Sequence, residues 1–294
     1  MRPSVILGLA VVVVVIAKPR PARCERRDIR VAFSAYSYLD CLTLEGRGGA
    51  PDVDLESHLL RIQGQFGHYF RGTGTVLAGA AGYDQLHLGL RSPGAATLWT
   101  QLHHVWVRLA VMQRLSRRWN LALFARPGVS SDYAAFEPRD VRITAGAVAR
   151  FAVRERLEIG FGALYNNGVF GHLVLPVLSV GYRRPTWRLR FDFPERFAGW
   201  ITPTPWFEAG LRAQFIGDRF GIHGGSLAPL ADTVAPLYIT LGAVTRFFLV
   251  RGFYVALDGG WLVRHLHLLR DDSTSHRRLD FTGWFSSVTI GYLL

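Results

Sequence analysis

The sequence predicts an all-β protein, an antiparallel transmembrane β-barrel of about 14 strands, with about 12 strands as the alternative. Three observations predict this fold. Runs of about ten residues alternate apolar and polar side chains, the connections between the runs alternate in length, and aromatic residues stand beside the short connections. The composition agrees, because the 294-residue chain is 49% hydrophobic and 13% aromatic and contains 31 glycines. After the first residues, no apolar stretch reaches the length of about 18 residues that a membrane-spanning helix needs.

The start of the chain has the pattern of a secretory signal peptide. Arg2 supplies a positive charge, an apolar run follows from Val5, and Val15 and Ala17 form a small-residue cleavage site. The run is too short to cross a bilayer as a helix, although an uncleaved anchor is the alternative. We therefore expect residues 1–17 to be a signal peptide, residues 18–27 a periplasmic segment and residues 28–294 a barrel in a bacterial outer membrane.

Alternation with a period of two is the main evidence for strands. It is clearest where Leu157, Ile159 and Phe161 share one face while polar residues and glycines share the other. The segment 219–225 is the weakest candidate, because two glycines end it. Strands are predicted near 28–38, 53–66, 73–88, 102–114, 118–127, 141–153, 157–166, 172–183, 187–193, 205–216, 219–225, 237–249, 252–265 and 281–294.

The connections between these strands sort by length, which a soluble β-sandwich gives no reason to expect. Short periplasmic turns facing long outer loops are typical of transmembrane barrels, and an even number of strands places both termini on the periplasmic side. Short turns are predicted at Ser116-Arg117, Arg154-Glu155, Arg184-Pro185, Gly217-Asp218 and Val250-Arg251, and long connections at 39–52, 89–101, 128–140, 194–204, 226–236 and 266–280.

Aromatic and basic residues collect beside the short turns and on the last strand. The aromatic residues predicted to anchor the barrel at the membrane interface are Trp119, Phe151, Trp187, Phe220, Phe247, Phe253 and Tyr292. Arginines at the same turns, Arg219 and Arg246 among them, are interpreted as contacts with anionic lipid heads, which accounts for much of the net charge of +12.

The expected partners are therefore outer-membrane lipids, together with the barrel-assembly machinery during insertion. The last strand, with Trp284, Val288, Ile290 and Tyr292 on its lipid face, resembles the signal that this machinery reads, although Leu294 replaces the usual final Phe. Nucleic acid is excluded as a partner, because the chain is exported and its basic residues are not clustered. The oligomeric state stays open.

The two cysteines, Cys24 and Cys41, are predicted to be free thiols. If 28–38 spans the membrane, they lie at opposite ends of one strand, more than about 30 Å apart. A disulfide needs Cα atoms within about 7 Å. The alternative is that this first segment is a plug rather than a strand, which would remove the objection to a disulfide.

Several short motifs carry a family resemblance. They are Pro127-Gly128-Val129-Ser130-Ser131-Asp132, Leu175-Pro176-Val177-Leu178-Ser179-Val180-Gly181-Tyr182, Trp187-Arg188-Leu189 and Phe193-Pro194-Glu195. With them the chain resembles an uncharacterised family of Gram-negative outer-membrane β-barrel proteins, classed as a domain of unknown function, and the resemblance covers most of the mature chain. It implies a barrel and an outer-membrane location, and it assigns no catalytic residue.

The face of the strands opposite the lipid is unusually charged. The residues predicted to line a pore are Arg108, Arg142, Arg150, Glu158, Arg188, Arg190, Asp192, Glu208, Arg212, Asp258 and Arg264. Neighbouring strands are expected to bring Arg188, Arg190 and Asp192 near Glu208 and Arg212. Two interpretations stay open, a constriction that favours anions and a ladder of ion pairs that makes the barrel rigid. The leading hypothesis is a channel or transport protein for small polar or anionic solutes.

An outer-membrane enzyme acting on lipid or lipopolysaccharide is the second hypothesis, and a structural or adhesive barrel the third. The candidate side chains for the enzyme hypothesis are His172, His223, His265, His267 and His276 with Ser226 and Ser273, none of them in a hydrolase motif. An enzyme of this kind would show a Ser or Asp oxygen within about 3.2 Å of a His nitrogen at the outer rim. His265-x-His267 with Asp271 and Asp272 is weak evidence for a metal, so no catalytic residue, metal or cofactor is predicted.

Overall fold

The computed structural model describes residues 29–44, 53–70, 72–91, 98–168, 171–224, 228, 231–249, 253–269 and 276–293. The predicted signal peptide at 1–17, the segment 18–27, Cys24 and Leu294 lie outside the described residues. The side chains of Cys41, Arg264 and Tyr292 do as well. None of the helices among the described residues has the length and apolar character needed to span a membrane.

Within the described residues the chain forms fifteen strands and one 3₁₀ turn at Pro138–Asp140. The strands are β1 Ile29–Leu44, β2 Val53–Phe70, β3 Thr75–Arg91, β4 Leu98–Arg114, β5 Trp119–Ser131, β6 Val141–Arg154, β7 Leu157–Asn166, β8 Leu173–Arg183, β9 Trp187–Phe193, β10 Arg196–Thr204, β11 Phe207–Gly217, β12 Phe220–Gly221, β13 Thr233–Phe248, β14 Phe253–Leu269 and β15 His276–Leu293.

These strands form a closed antiparallel ring. Along the chain from β1 to β11, each strand pairs with the one before it. β11 then pairs with β13, β13 with β14 and β14 with β15, and β15 pairs with β1, where Tyr38 lies opposite Ser287. The ring formed by these pairings includes every strand except β12. A closed ring pairs the backbone groups of neighbouring strands with one another along the length that the strands share. The predicted all-β closed barrel is confirmed.

Two of the predicted elements were wrong. The stretch 194–204 is not a long loop, because it contains β10, in which Phe197 and Ile201 face outward and Ala198 faces inward. The predicted strand 219–225 is reduced to the two residues of β12. Pro203 and the flanking arginine hid the alternation of β10, whereas the residues around β12 pack inside the barrel. The two errors offset each other in the number of strands.

The two ends of the barrel differ in their connections. One end, here called the turn end, carries connections of two to four residues, at 71–74, 115–118, 155–156, 184–186, 205–206 and 249–252. The other end, here called the loop end, carries longer ones, at 45–52, 92–97, 132–140, 167–172, 218–232 and 270–275. A single connection breaks this rule, because only Pro194 and Glu195 join β9 to β10 at the loop end.

The outside of the barrel carries an apolar band. On β11, Leu211 is 63% exposed and Phe215 also faces outward, while Glu208 on the opposite face is buried. The same alternation leaves Trp284, Val288 and Ile290 of β15 outward and Phe285 and Ser287 inward. A continuous exposed apolar surface around a closed ring is the arrangement of a barrel that faces lipid.

Replacing Leu211 by arginine tests this outer face. A charge near the middle of the lipid-facing band is expected to cost about 2–4 kcal/mol of unfolding free energy. Urea titration of the barrel in phospholipid vesicles measures this cost. Leu211→Phe, which keeps the site apolar, is the control and should stay near the wild type. Equal stability of the two variants would contradict a lipid-facing position for this residue.

Candidate functional site

Ion pairs cover much of the inner face between the turn end and the turn that joins β9 to β10. Arg188 and Arg246 both bind Glu208, with N–O distances of 2.9 and 3.1 Å. Arg190 and Arg196 both bind Asp192, at 2.6 and 3.1 Å. Two carboxylates therefore each meet two arginines, which leaves positive charge in excess on this part of the wall.

Two further pairs complete this network. Arg212 binds Asp258 of β14, reaching past Gly242 of β13, which has no side chain to separate them. Arg150 lies 3.7 Å from Glu158. Neighbouring strands do bring Arg188 to Glu208, but Arg212 takes its partner from two strands away. Arg246 faces this network and not the lipid heads, so its predicted role at the membrane interface was wrong.

After β11 the chain turns into the barrel. Residues 218–224, here called the crossing segment, include β12, which pairs with β13 at Phe220↔Val234 and with β5 at Gly221↔Ser131. In the ring, β5 and β13 are seven strands apart in either direction, so they lie on opposite walls. The crossing segment therefore spans the interior of the barrel near its loop end.

Buried contacts between a histidine and an aspartate hold both ends of the crossing segment. The Asp218 carboxylate lies 2.7 Å from Nδ1 of His104 on β4. The Asp84 carboxylate lies 3.7 Å from the same nitrogen. At the far end, Nε2 of His223 lies 2.9 Å from Asp140, which is fully buried at the end of the 3₁₀ turn. Burial alone would raise the pKa of Asp218, but the charge of the neighbouring His104 holds it well below its usual range.

Side chains of β6 and of the connection after β5 form hydrogen bonds that fix the backbone of the crossing segment. The Arg142 guanidinium donates to the carbonyl oxygens of Arg219, at 2.7 Å, and Arg139, at 2.5 Å. One Asp132 carboxylate oxygen accepts the backbone N–H of His223 at 2.9 Å and that of Gly224 at 2.7 Å. Arg142 thus lies on the inner face as expected, but it is buried and holds the segment.

Apolar side chains fill the space on the loop-end side of the crossing segment. Phe220 is 3% exposed there, so its predicted role as an interface anchor was wrong. The Gly217-Asp218 turn was assigned to the periplasmic side, whereas it lies at the loop end, where the chain folds inward. The cluster consists of Leu86, Leu88, Leu102, Phe220, Ile222, Ala231, Val234, Leu266 and Leu268.

A cavity of about 520 Å³ lies inside the barrel, and Asp218 of the crossing segment forms part of its wall. Arg108 and Arg126 line it, and each stacks on an aromatic ring, with Arg108 5.1 Å from Phe124 and Arg126 5.5 Å from Trp106. Among the described residues neither guanidinium forms an ion pair within 4.0 Å, although Glu195 lies near enough to Arg108 and Asp218 near enough to Arg126 to interact electrostatically. Two arginines without an ion-pair partner in a partly apolar cavity are suited to bind an anion.

The remaining predicted residues lie where the alternation puts them. Trp119, Phe151, Trp187, Phe247 and Phe253 stand at the turn end, where Trp119 packs on Phe151 with ring centres 4.9 Å apart and Trp187 on Tyr182 at 5.0 Å. Arg264 pairs with Tyr238 in the register of β13 and β14, and its side chain lies outside the described residues. The roles of these residues as anchors or pore-lining side chains stay predictions.

The histidines do not form a recognisable catalytic group among the described residues. His223 and Asp140 meet the distance expected for an enzyme, but both are buried and hold the crossing segment. His172 accepts or donates a 2.6 Å hydrogen bond with Tyr165 instead of a serine. In the part of the chain that the structure describes, no group of three His, Cys, Asp or Glu side chains is arranged for a metal. Ser226, Asp271, Asp272 and Ser273 lie outside it, as does the side chain of His276.

A family model described as "Domain of unknown function (DUF6268)" matches residues 71–220, just over half of the chain. The chain belongs to this family. The DUF6268 match runs from the turn before β3 to the first residue of β12, so it includes Arg108 and Arg126 of the cavity. This agrees with the resemblance found in the sequence motifs. A search of curated protein sequences gave no match.

Three solved structures illustrate what this DUF6268 chain is similar to in fold. The TodX deltaS2S3 mutant monoaromatic hydrocarbon channel has 6% identity and a TM-score of 0.45, covering 91% of this chain and 90% of that one. LpxR from Salmonella typhimurium has 9% identity and a TM-score of 0.38, covering 90% and 99%. The translocator domain of the autotransporter NalP from Neisseria meningitidis has 11% identity and a TM-score of 0.38, covering 89% and 88%.

Proposed function

We propose that this protein is an outer-membrane channel for small anionic solutes, in which the crossing segment closes the loop end. The observation that carries the proposal is the pair Arg108 and Arg126, which face the cavity without ion-pair partners. An anion in the cavity would meet two guanidinium groups that are free of direct ion pairs with the carboxylates nearby, one of which, Asp218, is already bound to His104. In a narrow, partly desolvated passage, such charges attract anions and repel cations.

The charge of the inner wall supports the same direction of selectivity. Towards the turn end, Glu208 and Asp192 are each bound by two arginines, so the wall there stays positive after pairing. The ladder of ion pairs and the anion passage are therefore compatible. The ladder holds most of the arginines in place, and the surplus charge sets the electrostatic potential that a solute experiences.

Conductance in planar bilayers tests this function. The purified barrel should show discrete steps, and its reversal potential in a salt gradient should indicate a preference for anions. Replacing Arg108 and Arg126 together by glutamine should lower the ratio of anion to cation permeability by about threefold or more, because each charge acts within a few ångströms of the path.

The matched control is the double variant Arg188→Gln with Arg190→Gln, which changes the net charge equally. In this variant Arg246 still pairs with Glu208 and Arg196 still pairs with Asp192, so only the surplus charge of the paired wall is lost. Arg108 and Arg126 stay in the cavity, so the shift in selectivity should be smaller. A barrel without conductance steps, even after the crossing segment has been released, would overturn the proposal. Equal shifts in the two double variants would remove the special role of Arg108 and Arg126.

A further inference from the structure

The barrel wall has a notch above the turn between β9 and β10. These two strands have only 7 and 9 residues. The pairing of β8 with β9 ends at Leu178↔Phe193, so residues 173–177 of β8 extend beyond it. On the other side, the pairing of β10 with β11 ends at Arg196↔Gln214. Between these end points and the loop end, β9 and β10 are missing from the wall. β8 and β11 are therefore three strand spacings apart there, which is about 14 Å.

The notch lies within the apolar band and leads to the cavity. Val174 beside it is 66% exposed, and Phe193 and Phe215 at its lower edge are 43% and 39% exposed. Phe193 and Phe215 also line the cavity, together with Leu173 and Leu175 on the inner face of β8. The cavity therefore reaches the outer surface at a height where the barrel faces lipid.

The cavity is divided chemically between its two sides. Arg108 and Arg126 stand on β4 and β5, and most of the apolar side chains stand beside the notch, three or more strands further along the wall. Two carboxylates also line the cavity. Asp218 is paired with His104, and Glu195 is exposed in the turn that forms the lower edge of the notch. A third arginine, Arg61, is bound to Asp84 at 2.5 Å.

We propose that this cavity binds an amphiphilic monoanion, with its charged head on Arg108 and Arg126 and its apolar tail directed towards the notch. This inference rests on the proposed function, since it names the solute class of the same cavity. A guanidinium pair recognises a planar anionic head such as a carboxylate. The aromatic and leucine side chains bury a tail that water would otherwise have to solvate. The volume of about 520 Å³ lies in the range of small-molecule sites.

Binding of radiolabelled decanoate to the full-length barrel in nanodiscs of zwitterionic lipid tests the inference, with empty nanodiscs as the background. Butyrate carries the same head without the tail, and decanol carries the same tail without the charge. Unlabelled decanoate should compete at least about tenfold better than either compound, because each of them makes only half of the contacts. Arg108→Gln with Arg126→Gln should weaken decanoate binding by about tenfold or more and leave decanol unchanged.

Arg188→Gln with Arg190→Gln is the control for net charge, and it should bind decanoate as the wild type does. Leu175→Gln, on the tail side, should weaken decanoate but not butyrate. If anionic phospholipid in the nanodisc displaces decanoate, the natural ligand comes from the bilayer, and if it does not, the ligand is a free amphiphile. Both results support the same site.

Equal competition by butyrate and decanoate, or unchanged decanoate binding in the Arg108 and Arg126 double variant, would overturn the inference. The two proposals fail separately. Anion conductance without decanoate binding would leave the channel and remove the amphiphile site. Decanoate binding by a barrel that never conducts would leave a ligand site and remove the channel.

Discussion

Replacing Asp140 by asparagine is expected to release the crossing segment and raise the open probability of the barrel by about tenfold or more. Asp140 is fully buried and binds Nε2 of His223 at 2.9 Å. Removing one acceptor of a buried hydrogen-bonded pair costs about 1–3 kcal/mol, because one asparagine oxygen cannot replace both carboxylate oxygens that Nε2 of His223 contacts. Asparagine keeps the shape and the acceptor for the Glu137 N–H, so the change acts mainly on charge. Single-channel recording in planar bilayers measures the open probability.

Two controls separate this effect from general damage. Glu137→Gln removes an exposed carboxylate 3.4 Å from Nδ1 of His223 and should change the open probability little, as exposed ion pairs contribute about 0–1 kcal/mol. Replacing both partners, Asp140→Asn with His223→Gln, should restore part of the closure, because two amide side chains can donate to and accept from each other. An Asp140→Asn barrel that folds, shown by heat-modifiable migration in gels, and still conducts as the wild type would contradict closure by the crossing segment.

Replacing Gly162 by alanine is expected to destabilise the barrel by about 3 kcal/mol. A Cβ atom on Gly162 of β7 would collide with the carbonyl oxygen of Ala147 and would lie 2.8 Å from the Cα of Val148, both in β6. These are backbone atoms in a paired strand, so they cannot move aside as a flexible side chain would. Urea titration of the folded barrel in phospholipid vesicles measures the loss of unfolding free energy.

Gly181→Ala is the matched control for this prediction. Gly181 belongs to β8, the strand next to β7, and a Cβ atom there would meet nothing within 4 Å. Its replacement should stay within about 0.5 kcal/mol of the wild type. The difference between the two variants isolates the close approach of β6 and β7 from the general effect of removing a glycine. If both variants lose the same stability, the packing described for these strands is wrong.

The alternation of the sequence was sufficient for the closed barrel and for the face of most strands. In β7, Ile159 and Phe161 face outward and Glu158 faces inward, as the period of two requires. The sorting of short and long connections was also readable, because turn length follows from where one strand pattern stops and the next begins. β10 escaped detection because its alternation, with Phe197 and Ile201 outward, is short and is interrupted by Pro203 near its end.

The candidate site was predictable only in part. Arg108 was among the residues predicted to line the pore, but Arg126, inside the strand predicted at 118–127, was not. Its signal was available, since it alternates with Ala125 and Pro127 at the end of that strand. The pairing of Arg212 with Asp258 was not readable, because it depends on the register of three strands and on the absence of a side chain at Gly242.

The sequence by itself thus determined the strands, the lipid-facing band and the excess of arginine on the inner wall, because these are properties of neighbouring residues. Only the tertiary structure decided that Phe220 lies inside the barrel, that the chain around it crosses the interior and that a notch opens above β9 and β10. The contacts responsible are distant in sequence, as between His223 and Asp140, which are 83 residues apart. A pattern of period two assigns a side chain to a face, but it contains no information about which connection folds inward or which wall receives it.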